Sequence, residues 1–109
     1  GSLAKLGFTN KTRNVPITVL VVDDRPEIVE LLSEILEPNG ISVLKAYGGN
    51  QAVQMAVEHL PDLMILDLMM PKVNGFDVIT QLKKHATARY VPIIVLNAKD
   101  LTEEDKSKL

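Results

Sequence analysis

Short runs of unbroken apolar residues, each followed by a segment of a different pattern, constrain the fold of this chain most strongly. The runs are TVLVV at Thr18–Val22, LMIL at 63–66 and IIVL at Ile93–Leu96. Apolar, β-branched runs of this length are typical of strands buried on both faces, as in parallel sheets. A fourth segment, 41–46, partly alternates between apolar and polar residues, which is typical of an edge strand.

Segments with helical signals lie between these strands. Pro26 begins the first helix, where its fixed φ and missing donor are tolerated, and Asn39-Gly40 ends it. A second helix is expected from about Gly49 to His59, and Asn74 caps a third. This regular alternation predicts right-handed βαβ units. The expected fold is therefore α/β, a doubly wound parallel sheet with helices on both faces.

Composition narrows the classes of function. The chain has 109 residues, enough for one domain, and no cysteine, which excludes disulfides, thiolate metal sites and cysteine catalysis. A net charge of −2 argues against direct nucleic-acid binding, and no apolar run is long enough for membrane insertion. We expect a cytoplasmic protein. Residues 1–15 are interpreted as an expression scar (Gly1-Ser2) and a linker, and residues 16–109 as the domain.

Three carboxylates follow buried strands directly. Asp23 and Asp24 come after the first strand, and Asp67 comes after the third. In a doubly wound sheet, sites form outside the carboxyl ends of the strands, so these acids converge if the two strands are neighbours. Carboxylates about 5 Å apart repel by roughly 3 kcal/mol per pair at an effective dielectric constant near 20. Such a cluster raises a pKa or recruits a cation, and oxygen ligands alone favour magnesium or calcium over zinc.

A single aspartate after a strand is more often a solvated loop residue than a ligand. Three acids, each at a strand end, favour a functional site instead. His59 and His85 offer no competing metal site, because each lies near a helix C-terminus with no second ligand close in sequence.

The chain resembles the response-regulator receiver family. The resemblance is carried by VVDD before a helix, then LMILDLMMPKVNG, then VPIIVLNAKD, in that order. The pattern D-x-x-M-P-x-x-x-G, formed by Asp67, Met70, Pro71 and Gly75, is specific to the family. The resemblance covers nearly all of the chain after Pro16.

The resemblance implies a flavodoxin-like strand order, 2-1-3-4-5, and a role in a two-component phosphorelay. It implies that Asp67 is the phosphoacceptor and that Mg²⁺ is held by Asp23, Asp24, Asp67 and the backbone carbonyl of Met69. The implied donor is a histidine kinase or a histidine phosphotransfer domain, and an output domain is implied in a longer protein. Such a domain catalyses its own phosphorylation and dephosphorylation, and is not a conventional turnover enzyme.

Two departures from the family are evident. Receivers usually carry Thr or Ser at the end of the fourth strand to bond the phosphoryl group, whereas this chain has Asn97. Its amide can donate a hydrogen bond but is bulkier than a hydroxyl, which bears more on conformational switching than on phosphoryl transfer. The chain also ends at Leu109, so the fifth strand and last helix are expected to be absent. Lys99 is not the family's phosphate-contacting lysine, and a solvated loop position is the simpler interpretation.

Alternative functions remain open. A degenerate receiver would act as a protein-interaction module without phosphorylation. A haloacid-dehalogenase-type hydrolase would need D-x-D after the first strand, where this chain has Asp23-Asp24-Arg25. A nucleotide- or flavin-binding domain would need a glycine cradle, which is lacking.

A chain without the fifth strand exposes Ile93–Leu96 as an apolar edge of the sheet. Such an edge predicts dimerisation or exchange of elements between copies.

Overall fold

A computed structural model of the chain describes residues 16–70 and 74–96. In chain order, the elements are β1 (Thr18–Val22), α1 (Pro26–Leu36), β2 (Ser42–Ala46), α2 (Gly49–His59), β3 (Leu63–Asp67), α3 (Gly75–Leu82) and β4 (Ile93–Leu96). Two short 3-10 turns, Glu37–Asn39 and Ala88–Tyr90, follow α1 and precede β4. The predicted alternation of strands and helices is confirmed.

The strands form one parallel sheet. Within the described residues its order is β2-β1-β3-β4, with Val19 opposite Val43 on one side and Leu63 on the other. The predicted flavodoxin-like order is therefore confirmed for these four strands. The predicted edge position of β2 is also confirmed. Its strand begins at Ser42, one residue later than the sequence pattern suggested.

Helices cover both faces of the sheet, as expected for a doubly wound fold. On one face, Leu20, Met64 and Leu66 are buried in a large apolar cluster that includes residues of α2 and α3. On the other face, Val19 and Val21 pack in a smaller cluster with Val29 of α1. Alternate residues of β1 thus point to opposite faces and are buried on both, which explains why residues 19–22 are all apolar.

The helix ends agree with the sequence signals. Pro26 begins α1, and the 3-10 turn after it closes at Gly40, whose φ of +79° is a left-handed conformation that glycine adopts readily. The side chain of Asn74 accepts a hydrogen bond from the amide of Phe76, so the predicted cap of α3 is confirmed. The start of α1 thus follows Asp23 and Asp24 closely in the chain, and the capped start of α3 follows the loop after Asp67.

Some predictions lie outside the described residues. These are the linker in residues 1–15, the roles of Asn97 and Lys99, and Pro71 of the family motif. The expected association through the edge of β4 also depends on residues 97–109, so it stays a prediction. Among the described residues, no helix is long and apolar enough to span a bilayer.

Candidate functional site

The three predicted acids meet at the carboxyl edge of the sheet. Asp23 follows β1 directly and Asp67 is the last residue of β3, and these two strands are parallel neighbours. One carboxylate oxygen from each of Asp23, Asp24 and Asp67 lies within 4.8 Å of the others. The strand order reverses between β1 and β3, which is where open α/β sheets form their binding crevice.

Asp67 is held rigidly at the end of its strand. Its carboxylate is only 2% exposed, and Oδ1 accepts a 2.8 Å hydrogen bond from the amide of Met69. The next residue, Leu68, donates its amide to the carbonyl of Leu96 at 3.3 Å, which joins the loop to the end of β4. The amide of Met69 therefore orients the Asp67 carboxylate, and the bond from Leu68 to Leu96 anchors the start of the loop that follows it.

Asp23 is buried and paired with a cation. It is fully inaccessible to solvent, and Oδ1 accepts hydrogen bonds from the backbone amide and the Nε of Arg25, both at 3.0 Å. The Nη2 of Arg25 donates to Oδ2 at 2.9 Å, which completes a two-pronged contact. Burial raises the pKa of Asp23, but the hydrogen bonds and positive charge of Arg25 outweigh it and hold that pKa below its ordinary value.

Arg25 is the site residue that sequence reasoning missed. Its Nη2 lies 3.9 Å from Oδ2 of Asp67, so one guanidinium faces two of the three acids. The bond to Asp23 raises the pKa of Arg25 above its already high ordinary value. The available signal was a cationic residue two positions after a buried acid and just before a helix-initiating proline, but that pattern does not fix the direction of a long side chain.

Asp24 is the exposed member of the cluster. Its neighbours Asp23 and Asp67 are buried, whereas Asp24 faces solvent at the rim. A cation entering from solvent would meet Asp24 before the two buried carboxylates. This graded exposure suits a ligand that carries its own water molecules, as Mg²⁺ does.

Gly75 is required by a close approach of two backbone segments. A Cβ at this position would lie 2.6 Å from the Cα of Leu68 and 2.9 Å from the carbonyl oxygen of Asp67. The amide of Gly75 also donates to the carbonyl of Leu68 at 3.3 Å. The structure therefore places the start of α3 directly against the backbone of Asp67 and Leu68.

The donor set fits a hard divalent cation. It consists of carboxylate oxygens alone, with no histidine or cysteine among the grouped residues. For Met69, the contact within the site is its amide bonded to Asp67, and the predicted ligation by its carbonyl stays a prediction. The side chain of Met69 is exposed and is not part of the apolar core, as expected for a loop residue at the rim of the site.

Comparison with known proteins identifies the family. The family model described as the response regulator receiver domain matches residues 19–108. The chain belongs to the response-regulator receiver family. The expected resemblance is therefore confirmed, and with it membership of the domain class found in response regulators of two-component systems.

The similar proteins differ in length. Protein PilH of Pseudomonas aeruginosa is 40% identical over 88 residues, covering 81% of this chain and 72% of that protein. Response regulator GtcR of Aneurinibacillus migulanus is 44% identical over 84 residues, covering 76% of this chain and 33% of that protein. This receiver chain thus spans about a third of the length of GtcR.

Solved receiver structures share its architecture. The N-terminal domain of a response regulator receiver protein from Methanoculleus marisnigri is 34% identical, with a TM-score of 0.75, over 84% of this chain and 74% of that one. The receiver domain of sensor histidine kinase PA1611 from Pseudomonas aeruginosa is 26% identical, with a TM-score of 0.74, over 84% and 75%. The structure of that domain has a magnesium ion coordinated in its active-site cleft.

Proposed function

We propose that this receiver domain accepts a phosphoryl group on Asp67 in a Mg²⁺-dependent reaction and signals through the resulting conformational change. The observation that carries the proposal is the cluster of Asp23, Asp24 and Asp67 at the carboxyl edge of neighbouring strands, with oxygens within 4.8 Å. Membership of the receiver family supports it. So does the magnesium ion in the cleft of the PA1611 receiver domain.

The proposed cation ligands are Asp23, Asp24, Asp67 and the carbonyl of Met69, directly or through water. A bound Mg²⁺ supplies charge that stabilises the transferring phosphoryl oxygens and offsets their repulsion from the carboxylate. The chain itself supplies orientation: the amide of Met69 holds Oδ1 of Asp67, and the backbone bond of Leu68 to Leu96 holds the loop. Positioning of this kind is the protein's main contribution in phosphoryl transfer.

The proposed donor is the phosphohistidine of a histidine kinase or a histidine phosphotransfer domain. An oxygen of the Asp67 carboxylate forms a bond to phosphorus while the phosphorus–nitrogen bond breaks, and the electron pair of that bond leaves with the imidazole. The product is an acyl phosphate on Asp67 and a histidine. Because acyl phosphates hydrolyse readily, the modification is suited to a transient signal.

The test uses acetyl phosphate, in which the phosphorus–oxygen bond to acetate breaks in place of the bond to imidazole. The intact mass of the chain should show one phosphate adduct with Mg²⁺ and none with chelator. Asp67→Asn should abolish the adduct, whereas the control Asp62→Asn, at the opposite end of β3, should retain it. An adduct that survives Asp67→Asn or chelation contradicts the proposal.

Absence of any adduct in the presence of Mg²⁺ would favour the alternative, a receiver that acts as an interaction module without phosphorylation. Asn97 is the sequence feature behind that alternative, since it replaces the usual hydroxyl residue. Asn97→Thr separates the two roles. If Asn97 limits switching, the variant should form the same adduct as the parent chain while changing its conformational response.

A further inference from the structure

Arg25 occupies the oxygens that a cation at this site would use. Its backbone amide and Nε both donate to Oδ1 of Asp23, and its Nη2 donates to Oδ2. The same Nη2 is 3.9 Å from Oδ2 of Asp67. Both oxygens of one proposed ligand thus accept a hydrogen bond from the guanidinium, which also approaches a second ligand.

The backbone of Arg25 is fixed, but its side chain has room to move. Its carbonyl accepts hydrogen bonds from the amides of Ile28 at 3.1 Å and Val29 at 3.3 Å, in the first turn of α1. Its side chain, in contrast, is 45% exposed while that of Asp23 is fully buried. The guanidinium can therefore swing into solvent without unwinding the helix.

A divalent cation and the guanidinium compete for the same place. One lone pair of a carboxylate oxygen cannot serve a hydrogen-bond donor and a metal ion at the same time. The guanidinium and the divalent cation are also both positive, so they repel each other. A cation that binds the Asp23 oxygens directly would therefore displace the hydrogen bonds that the guanidinium of Arg25 donates to them.

We infer that Arg25 is an internal counter-ion that competes with Mg²⁺ for Asp23, lowers the Mg²⁺ affinity of the site, and swings outward when the cation binds. This inference rests on the proposed function, since it assumes that Mg²⁺ uses the acidic cluster. In this account Arg25 sets the Mg²⁺ concentration at which the domain becomes competent for phosphorylation. Arg25 acts here through Asp23 and is a positioning residue.

Calorimetric titration of the full chain with MgCl₂ tests the affinity. Arg25→Gln should bind Mg²⁺ roughly three- to tenfold more tightly than the parent, because a charge-assisted pair with one exposed partner no longer competes. The matched control is Arg89→Gln, which removes the same charge from an exposed arginine that stacks over Tyr90 at 5.6 Å, before β4 and at the amino edge of the sheet. The control should match the parent.

The second measurement follows Arg25 itself in the parent chain. The NMR signal of its Nε–H should shift during Mg²⁺ titration and saturate together with the calorimetric curve, because its bond to Asp23 is lost. A stationary Nε–H signal at saturating Mg²⁺ would overturn the inference, even if Arg25→Gln failed to fold. Equal or weaker affinity in a folded Arg25→Gln would overturn it as well.

The parent chain and Asp67→Asn separate this inference from the proposed function. If Asp67→Asn binds Mg²⁺ as well as the parent does, the proposed cation site is wrong, and the inference is wrong with it. If Asp67→Asn weakens binding but Arg25→Gln matches the parent, the cation site stands and only the role of Arg25 is rejected.

Discussion

Aspartates lie at both ends of β3, and their surroundings differ. At the amino end, Asp62 is exposed, and its Oδ2 accepts a 2.8 Å hydrogen bond from the amide of Thr18, while its own amide donates to the carbonyl of Thr18 at 2.8 Å. At the carboxyl end, Asp67 is buried beside two further carboxylates and a guanidinium. One acid completes the hydrogen bonding of a neighbouring strand, and the other belongs to a charge cluster.

The difference follows from the direction of the strands. All four described strands are parallel, so one edge of the sheet collects every residue that follows a strand and the other collects every residue that precedes one. The amino edge presents backbone amides, which a single carboxylate can satisfy. The carboxyl edge gathers side chains from loops that are distant in sequence, where chemistry that requires several groups is possible.

The largest expected effect on binding is the loss of cation affinity at the carboxyl edge. Asp23→Asn removes a buried ligand charge from the carboxyl edge and should weaken Mg²⁺ binding by about tenfold or more. Asp62→Asn removes the same charge from the amino edge and should leave the affinity unchanged. Calorimetric titration of both variants measures the contrast. Equal losses in the two variants would mean that general charge, and not the edge, governs cation binding.

An effect on stability is expected from packing beneath the site. Gly75→Ala forces a Cβ to within 2.6 Å of the Cα of Leu68, and since backbone atoms cannot give way cheaply, it should cost about 1–3 kcal/mol in the free energy of unfolding. Gly48→Ala is the control, because a Cβ there would meet no atom within 4 Å. Urea melts of the two variants would reveal the difference. A Gly75→Ala variant as stable as the control would contradict the tight approach of α3 to the loop.

The smallest effect is expected at the amino edge. Asp62→Ala removes the acceptor of the Thr18 amide and should lower the free energy of unfolding by about 0.5–1.5 kcal/mol without changing Mg²⁺ affinity. Asp62→Asn keeps an acceptor oxygen and should retain most of the stability. If both variants melt like the parent, water replaces this carboxylate without cost, and the structural role assigned to it is wrong.

The fold was predictable from the sequence because its signals are local. Unbroken apolar runs, Pro26 at a helix start, Asn74 at a cap and Gly40 after a helix each depend on neighbouring residues, and regular alternation then determined the parallel sheet. The convergence of Asp23, Asp24 and Asp67 followed from strand order together with their positions at strand ends.

The remaining features depend on side-chain direction and on distances between segments. Nothing in the order of residues determines whether Arg25 turns inward to Asp23 or outward to solvent. The requirement for Gly75 likewise arises from the approach of α3 to Leu68, which is visible only once the loop and helix are packed. The sequence indicated which residues to consider, and the packed structure decided which of them interact.

The central claim, that the phosphoryl group is carried by Asp67, is tested most directly by locating the modification. The chain is treated with acetyl phosphate and Mg²⁺, the acyl phosphate is reduced with borohydride to the alcohol, and the modified residue is identified by tandem mass spectrometry of peptides. We predict that the aspartate at position 67 is converted to homoserine only in the Mg²⁺-containing sample. Conversion at Asp23, Asp24 or Asp62 in place of Asp67 would contradict the account.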